Sequence, residues 1–539
     1  MRIIPRTLPV EKWYSSWLAL PTQYPYRAAF AAGALLGLSF PPFSFPWLIW
    51  PAWSLLWSLA QLPSAFRPLY VALLTWNSIG CYWLTLTALS APNGTEAIVS
   101  FLAGALAIGI NPLLMLLPFL LWRWLSRRSR VGFSPWLFIP FWGAFEYGHF
   151  RWELTWSWLT LGFAWSEWSF WAQLSAWFGP LGLSIWTLVG AAILFVPRPW
   201  LHKGTLFLGW IAGLPLLVSF FSSYKVERTN PPLTVWILQP NIDPYAKFSE
   251  LPPEEQVRRV LALLPEAPSP GTLIVGPETV IPVAVSLDKW REESYLRPFY
   301  DYVRRYKVNV VLGVVGYRYF PPGEPLPPSA RPDERGGGYE SYNAAILLRP
   351  DTAQIHIKGR LVPFVERAPY LEVLSFLRRW QIDLGGGFGH FGKPNGQPPL
   401  YLYPDSLPVG VAICYESIFA HDLRKRLPDK PTFLAILTND GWWKKSSGYW
   451  QHLSFGRLVC QSLGVPAARS ANTGVSAFIS EKGELLQALP YDTMGRMQAQ
   501  LSPRKPATFY YKWGEAGLWV LSTFAFTIWF VQWWRSLRS

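Results

Sequence analysis

The sequence is poor in charge. Asp, Glu, Lys and Arg make up 15% of its 539 residues, against about 25% in soluble globular proteins, which argues against a wholly soluble chain. Cysteine is scarce too. The three present, Cys81, Cys414 and Cys460, are far apart, form no CxxC pair and leave an odd count, so neither a disulfide framework nor a zinc site is implied. Acidic residues number 33 against 48 basic ones, a formal charge of +15. The basic residues near the apolar runs sit in short loops, where they act as membrane-topology signals and do not form a nucleic-acid surface. What the chain has in abundance is apolar surface: 51% hydrophobic, 17% aromatic and 33 Trp, a tryptophan content expected of two interfacial aromatic belts.

Between Ala28 and Phe221 apolar segments follow one another, each close to the roughly 20 residues of a bilayer crossing. Seven are predicted, near Ala28 to Pro42, Trp47 to Leu62, Leu69 to Leu89, Ala97 to Trp122, Phe133 to Tyr147, Leu181 to Val196 and Thr205 to Phe221, with an eighth from Ala516 to Trp534. The first is short enough to form a hairpin with the second instead. A basic start followed by an array of spans does not match a cleavable signal peptide. Arg and Lys collect before the first span, after the second, fourth and sixth, and at Arg535 and Arg538, whereas the alternate loops contain only Arg151. Eight crossings with both termini cytoplasmic satisfy this asymmetry and place Ser222 to Glu515 outside.

The composition changes from Tyr224, where charges, prolines and glycines appear. Expected strands are Leu233 to Gln239, Thr272 to Gly276, Val308 to Val315, Tyr342 to Leu348, Val409 to Cys414, Phe433 to Thr438, and Ala467 to Ser470 continuing at Val475 to Ile479. Helices are expected at Glu254 to Leu264, Lys289 to Tyr306 and Tyr449 to Leu463. Alternating strands and helices predict an α/β layered domain. The chain therefore divides into a membrane domain (residues 1–223), an extracytoplasmic domain (224–512) and a C-terminal span (513–539). Phe320 to Gly338 and Gly385 to Pro399 are expected as mobile, lid-like loops. The second contains a formal GxGxxG at Gly387, Gly389 and Gly392, but Pro394 blocks the helix that a dinucleotide site requires.

Chemistry concentrates at strand ends. Val409-Gly-Val-Ala-Ile-Cys414-Tyr-Glu416 is an apolar strand that ends in a cysteine. A thiol with its reference pKa near 8.5 is mostly protonated at neutrality and needs a base or a cation to act as a nucleophile. No Cys-His motif supplies one, since His390 lies in the glycine loop and His452 opens a helix. Leu273-Ile-Val-Gly-Pro-Glu278 ends a second strand in a carboxylate, and His356-Ile-Lys358-Gly-Arg-Leu-Val-Pro-Phe-Val-Glu366 places a lysine eight residues before another. Each alone is unremarkable, as solvated or packed polar groups usually are.

Together, in this order, they resemble the Glu-Lys-Cys triad of the nitrilase superfamily. With spans on both sides, the whole chain resembles the apolipoprotein N-acyltransferase family. Thr438-Asn-Asp-Gly-Trp-Trp443, Gln451-His452 with Arg457, Ala468-Arg-Ser-Ala-Asn-Thr-Gly474, Phe145-Glu-Tyr-Gly-His-Phe-Arg151 and Trp156-Ser-Trp158-Leu-Thr-Leu-Gly162 are similar to further family blocks. After Gln239-Pro-Asn-Ile242, Phe248 stands where many members have tryptophan.

The resemblance implies a nitrilase-like α-β-β-α sandwich beside a polytopic helical domain, with Cys414 as nucleophile, Glu278 as general base and Lys358 stabilising thiolate and oxyanion. Glu366, Asn343, Tyr415 (through its backbone N–H) and Glu416 are implied as supporting residues. Phe248, Trp442 and Trp158 are substrate or lid candidates. It further implies a phospholipid acyl donor such as phosphatidylethanolamine, a diacylated lipoprotein acceptor, a bacterial inner-membrane location with a periplasmic catalytic domain, a monomer, and no metal or other cofactor. Cys81 and Cys460 are expected to be packing residues. Three other functions compete: a membrane-tethered amidohydrolase with water as acceptor, a silent lipid-binding scaffold, and a transporter, for which Glu146 is the main intramembrane charge.

Overall fold

The structure is a computed structural model that describes residues 9–90, 94–196, 199–222, 231–374, 376, 390–394 and 396–538. Gly387 and Gly389 of the glycine-rich stretch lie outside the described residues. The first half is helical: α1 (Pro9–Gln23), α2 (Pro25–Leu38), α3 (Ile49–Gln61), α4 (Phe66–Cys81), α5 (Gly94–Ser126), α6 (Pro135–His149), α7 (Ser169–Ala172), α8 (Ser175–Phe195), α9 (Trp200–Leu208) and α10 (Leu214–Ser222), the last two joined through a π-helical turn. Among the described residues, four helical stretches are long and apolar enough to cross a membrane: α5, α8, Leu201–Phe220 and Ala516–Arg538. The other predicted spans form helices of 13 to 16 residues, namely α2, α3, α4 and α6. The apolar pattern does not predict α1.

Tryptophan does different work from that expected. Trp53, Trp57, Trp76, Trp122, Trp142 and Trp186 are fully buried, and Trp53 meets Trp142 edge-on at 4.8 Å and stacks on Phe119 at 5.7 Å. Each indole covers some 150–250 Å² of surface, so a few of them fill the space between short helices. They build the bundle core as well as any interfacial belt. Where helices touch without large side chains, glycine permits it: a Cβ on Gly33 of α2 would lie 2.2 Å from the Ala72 carbonyl of α4. The outer face of α5 exposes Ile98, Leu102, Leu106, Leu113 and Leu117, an apolar stripe suited to lipid.

The second half contains two sheets. The strands are β1 (Leu233–Gln239), β2 (Leu273–Val275), β3 (Ile281–Ser286), β4 (Asn309–Phe320), β5 (Arg331–Pro332), β6 (Gly338–Leu348), β7 (Ala353–Ile357), β8 (Leu400–Tyr401), β9 (Pro408–Ile413), β10 (Phe433–Thr438), β11 (Ala467–Ala471), β12 (Ser476–Ile479), β13 (Leu485–Leu489) and β14 (Gly495–Leu501). One sheet has the order β14-β1-β2-β4-β6-β5, with β3 on β4 and β7 on β6, and the other runs β13-β12-β11-β10-β9-β8. The period-2 pattern of buried strands on both faces divides their side chains between layers. Val235, Ile237, Val275 and Val311 meet Val411, Ile413, Ala435 and Leu437 between the sheets. Ile274, Val310 and Leu312 face outward under the helices α12 (Pro253–Ala262) and α13 (Arg297–Tyr306). On the far side Ala412, Leu434 and Ile436 pack under α14 (Ala420–Arg426) and α15 (Ser447–Leu463). The layers are thus helix, sheet, sheet, helix, with the short α11 (Ala246–Ser249) beside them. After α16 (Phe509–Trp513), α17 (Ala516–Arg538) returns to the bundle, where Leu518 and Ser522 lie against Gly143 of α6.

The stretch Phe320 to Gly338 springs from paired ends, because the β4–β6 ladder continues to Phe320 opposite Gly338, and the Asp333 carboxylate accepts from the Arg335 and Gly337 amides in the turn. Ala467 to Ala471 and Ser476 to Ile479 are two antiparallel strands, not one continued strand.

Candidate active site

Three strand ends converge. β2 stops at Val275, and the following turn carries Glu278 over Gly313 of β4, where a Cβ would lie 2.5 Å from the Glu278 Cα. Only glycine permits this approach. β7 ends at Ile357, and the next residue, Lys358, donates its backbone N–H to the Asn343 carbonyl of β6 at 2.8 Å. β9 ends at Ile413, and Cys414 opens a 3₁₀ turn with φ +48°, a backbone conformation that a non-glycine residue keeps only when its surroundings impose it. All four side chains, those of Glu278, Asn343, Lys358 and Cys414, are buried.

The polar groups form a cross-braced square. Lys358 Nζ donates to Glu366 Oε1 at 2.8 Å and to Glu278 Oε1 at 3.4 Å. Asn343 Nδ2 donates to the same two oxygens at 2.9 and 2.8 Å. Burial works against the Lys358 ammonium, but the Glu366 and Glu278 carboxylates outweigh it and hold Lys358 above its ordinary value. Burial also pushes the Cys414 thiol up, Glu278 adds to the effect, and Lys358 opposes it. A protonated thiol beside a carboxylate and a fixed cation suits a nucleophile that loses its proton as it attacks.

Glu416 braces both loops. Its Oε1 accepts from the Gly359 amide at 2.9 Å and from Arg426 at 3.2 Å, and its Oε2 lies 3.0 Å from the Ile413 amide and 3.1 Å from His356 Nε2. One buried carboxylate thereby ties the residue after Lys358 to the residue before Cys414. Burial alone would raise its pKa, but Arg426 and His356 outweigh burial and hold the group well below the usual carboxylate range.

Two family models match this chain: the apolipoprotein N-acyltransferase N-terminal domain over residues 32–193 and carbon-nitrogen hydrolase over residues 234–507. It is similar over most of its length to apolipoprotein N-acyltransferases from Chlorobaculum tepidum (30% identity, covering 90% of this chain and 92% of the relative) and Haemophilus ducreyi (26%, 92% and 94%). A further relative of that name, from Azotobacter vinelandii, is 27% identical over 94% of this chain and 95% of its own. The chain belongs to the apolipoprotein N-acyltransferase family. It is a membrane protein of that family, with a nitrilase-like domain attached to a helical half.

In this member of the apolipoprotein N-acyltransferase family, the remaining candidates fall in different places. The Tyr415 hydroxyl donates to the Thr155 carbonyl at 3.1 Å, a contact between the two halves. Trp158 is buried at the same junction, stacked over Tyr415 at 6.4 Å, with its indole N–H 2.6 Å from Gln451 Oε1. It also packs edge-on against Phe455 at 5.4 Å. Trp442 is half-buried, edge-on to Tyr245 at 5.2 Å. Phe248 lies on α11, and its side chain falls outside the described residues. Cys81 and Cys460 are buried, and burial pushes the Cys460 thiol up to about 12. Among the described residues, no group of three or more His, Cys, Asp and Glu is placed to hold a metal ion.

Sequence reasoning missed two features. His452 does not open the helix; it is buried within α15, which starts at Ser447, with its imidazole behind Cys414. Lys247 is buried too, donating to Thr279 Oγ1 at 2.8 Å beside Glu278, and burial pushes its ammonium down to about 7. The adjacent Gln451-His452 pair was the available signal for the first. For Lys247, the departure at Lys247-Phe248 was the available signal.

Proposed function

We propose that this chain moves a fatty acyl group from a phospholipid to the α-amino group of a diacylglyceryl-cysteine at a lipoprotein N-terminus. Cys414 Sγ attacks the donor's ester carbonyl while Glu278 takes the thiol proton, and the Lys358 ammonium offsets the charge that develops on the carbonyl oxygen. The C–O bond then breaks, Glu278 returns the proton to the leaving alkoxide, and a lysophospholipid departs from a thioester on Cys414. In the second half, the neutral amine of the acceptor attacks the thioester and Glu278 accepts its proton. The C–S bond breaks, an amide forms, and the proton returns to the thiolate. Glu366 and Asn343 hold Lys358 and Glu278 in register. The observation that carries this reading is the cross-braced square of Glu278, Lys358, Asn343 and Glu366 around a buried cysteine, in a chain whose family includes both halves.

The basic loops support eight crossings of a bacterial inner membrane, with both termini cytoplasmic and the catalytic domain in the periplasm. Two lipid-borne substrates give the membrane half its purpose. Phosphatidylethanolamine is the donor to test first, and the working form is a monomer. Intact-mass spectrometry after incubation with that lipid, then with a diacylated lipopeptide, tests the reading, with Cys414→Ala alongside. A fatty-acyl adduct on the wild type that transfers to the lipopeptide, and is absent from the variant, is expected. Release of the adduct only as free acid would make the protein a hydrolase, and no adduct with any lipid would make it a scaffold.

A further inference from the structure

Behind Cys414 lies a buried chain of charged groups that the triad does not use. His452 Nδ1 is 2.8 Å from Asp440 Oδ1, and Asp440 Oδ2 accepts from Arg469 at 2.6 Å. On the other side of the ring, Nε2 is 3.0 Å from the Cys414 carbonyl oxygen and 3.0 Å from Ser417 Oγ. Arg469 also comes within 3.3 Å of Nδ1. His452, Asp440 and Arg469 are all fully buried.

A carboxylate and a carbonyl oxygen can only accept. A bare Nδ1 could accept from Arg469 at 3.3 Å but would point its lone pair at the nearer Asp440 carboxylate, 2.8 Å away. A bare Nε2 could accept from Ser417 but would point its lone pair at the Cys414 carbonyl, whereas an N–H there donates to that carbonyl and leaves Ser417 Oγ as a second acceptor. Two acceptors on opposite sides of the ring suit an imidazole protonated at both nitrogens. The surroundings suit a cation: the ring packs beside Trp158 and Trp443, with centroids at 5.8 and 5.9 Å, within the range over which an indole attracts positive charge. Asp440 is held below the ordinary carboxylate value, with Arg469 and then His452 outweighing the effect of burial.

We propose that His452 is a positioning residue that acts as a permanent imidazolium, holding the Cys414 carbonyl, and with it the left-handed backbone of the nucleophile, while supplying positive charge behind the thiol. Arg469, Asp440 and His452 together carry one net positive charge. The need for it is visible at Lys358, whose charge is shared between Glu278 and Glu366, while Cys414 also faces the negative charges of Glu278, Asp440 and Glu366. His452 touches no substrate atom and works through Cys414. The inference rests on the assignment of Cys414 as nucleophile, but its first test does not.

The test is nitrogen-15 NMR of the full-length protein in lipid nanodiscs with labelled histidine at about pH 8, where an ordinary imidazole is neutral. Comparison with His452→Gln assigns the resonance. Two protonated ring nitrogens are expected, and a neutral ring accepting from Ser417 overturns the proposal. The second readout is the pH profile of Cys414 alkylation by iodoacetamide, followed by peptide mass. In His452→Gln the rate near neutrality is expected to fall about tenfold, with kcat reduced and KM for the lipopeptide unchanged. An unmoved profile in a folded variant overturns it. Loss of acyl transfer from the wild type, with the imidazolium present, would instead refute the transferase reading.

Discussion

Lys358 Nζ stands closer to Glu366 than to Glu278, at 2.8 against 3.4 Å. In the proposed reaction the stronger ion pair is therefore with the carboxylate that takes no proton, and Glu278 is left less tightly held, as the base of that reaction must be. Glu366→Gln keeps the size and removes the charge. Lys358 then turns fully to Glu278, and acyl-enzyme formation is expected to slow on the order of a hundredfold. Stopped-flow or quench measurement of lysophospholipid release in the first turnover checks this.

Glu416 is a stability residue before it is anything else. Glu416→Gln leaves the half-buried Arg426 without its counter-charge and weakens the bond to the buried His356, at a cost of about 1–3 kcal/mol, read as a lowered Tm in detergent. Its folded-state pKa lies below the unfolded value near 4.3, so the stability it contributes is present at neutral pH and is lost as pH falls below about 4. The variant should lose this acid-side slope.

Lys247 predicts the opposite side of the pH scale. Its folded value near 7 lies below the unfolded value of about 10.4, so between the two the unfolded chain binds a proton that the native state does not. Stability from this group therefore rises as pH increases from about 7 to 10. Lys247→Met should flatten that rise, measured as Tm against pH in wild type and variant.

Gln451 ties the two halves together. Its amide donates to the carbonyls of Pro41 and Gly80 and accepts from the indoles of Trp83 and Trp158. Gln451→Leu leaves these four groups buried without this partner, at about 1–3 kcal/mol each. A fall in Tm and faster proteolysis between the halves are expected.

Much of this was legible in the sequence where one rule acted alone. β1 and β10 run over the predicted residues because buried strands bounded by breakers have no competing period. The motif residues Glu278, Lys358, Cys414, Glu366, Asn343 and Glu416 do come within one polar cluster. The strands β3, β7, β13 and β14 were not legible; β13 and β14 are largely exposed or half-buried and present no buried alternating face. The short helices α2, α3, α4 and α6 overlap predicted apolar stretches, because apolarity reports burial, in lipid or in protein, and not whether a helix is long enough to cross a bilayer. The Asp440–His452–Arg469 chain joins residues from β11, α15 and the turn after β10, a convergence that only the fold reveals.

β14 pairs with β1, Leu501 opposite Leu233, so the first and last strands of the soluble half are neighbours. A nascent chain cannot complete that sheet until almost the whole segment has emerged. Truncation shortly before Gly495 would leave the edge of β1 open and, in the same event, remove α17, a helix long and apolar enough to cross a membrane.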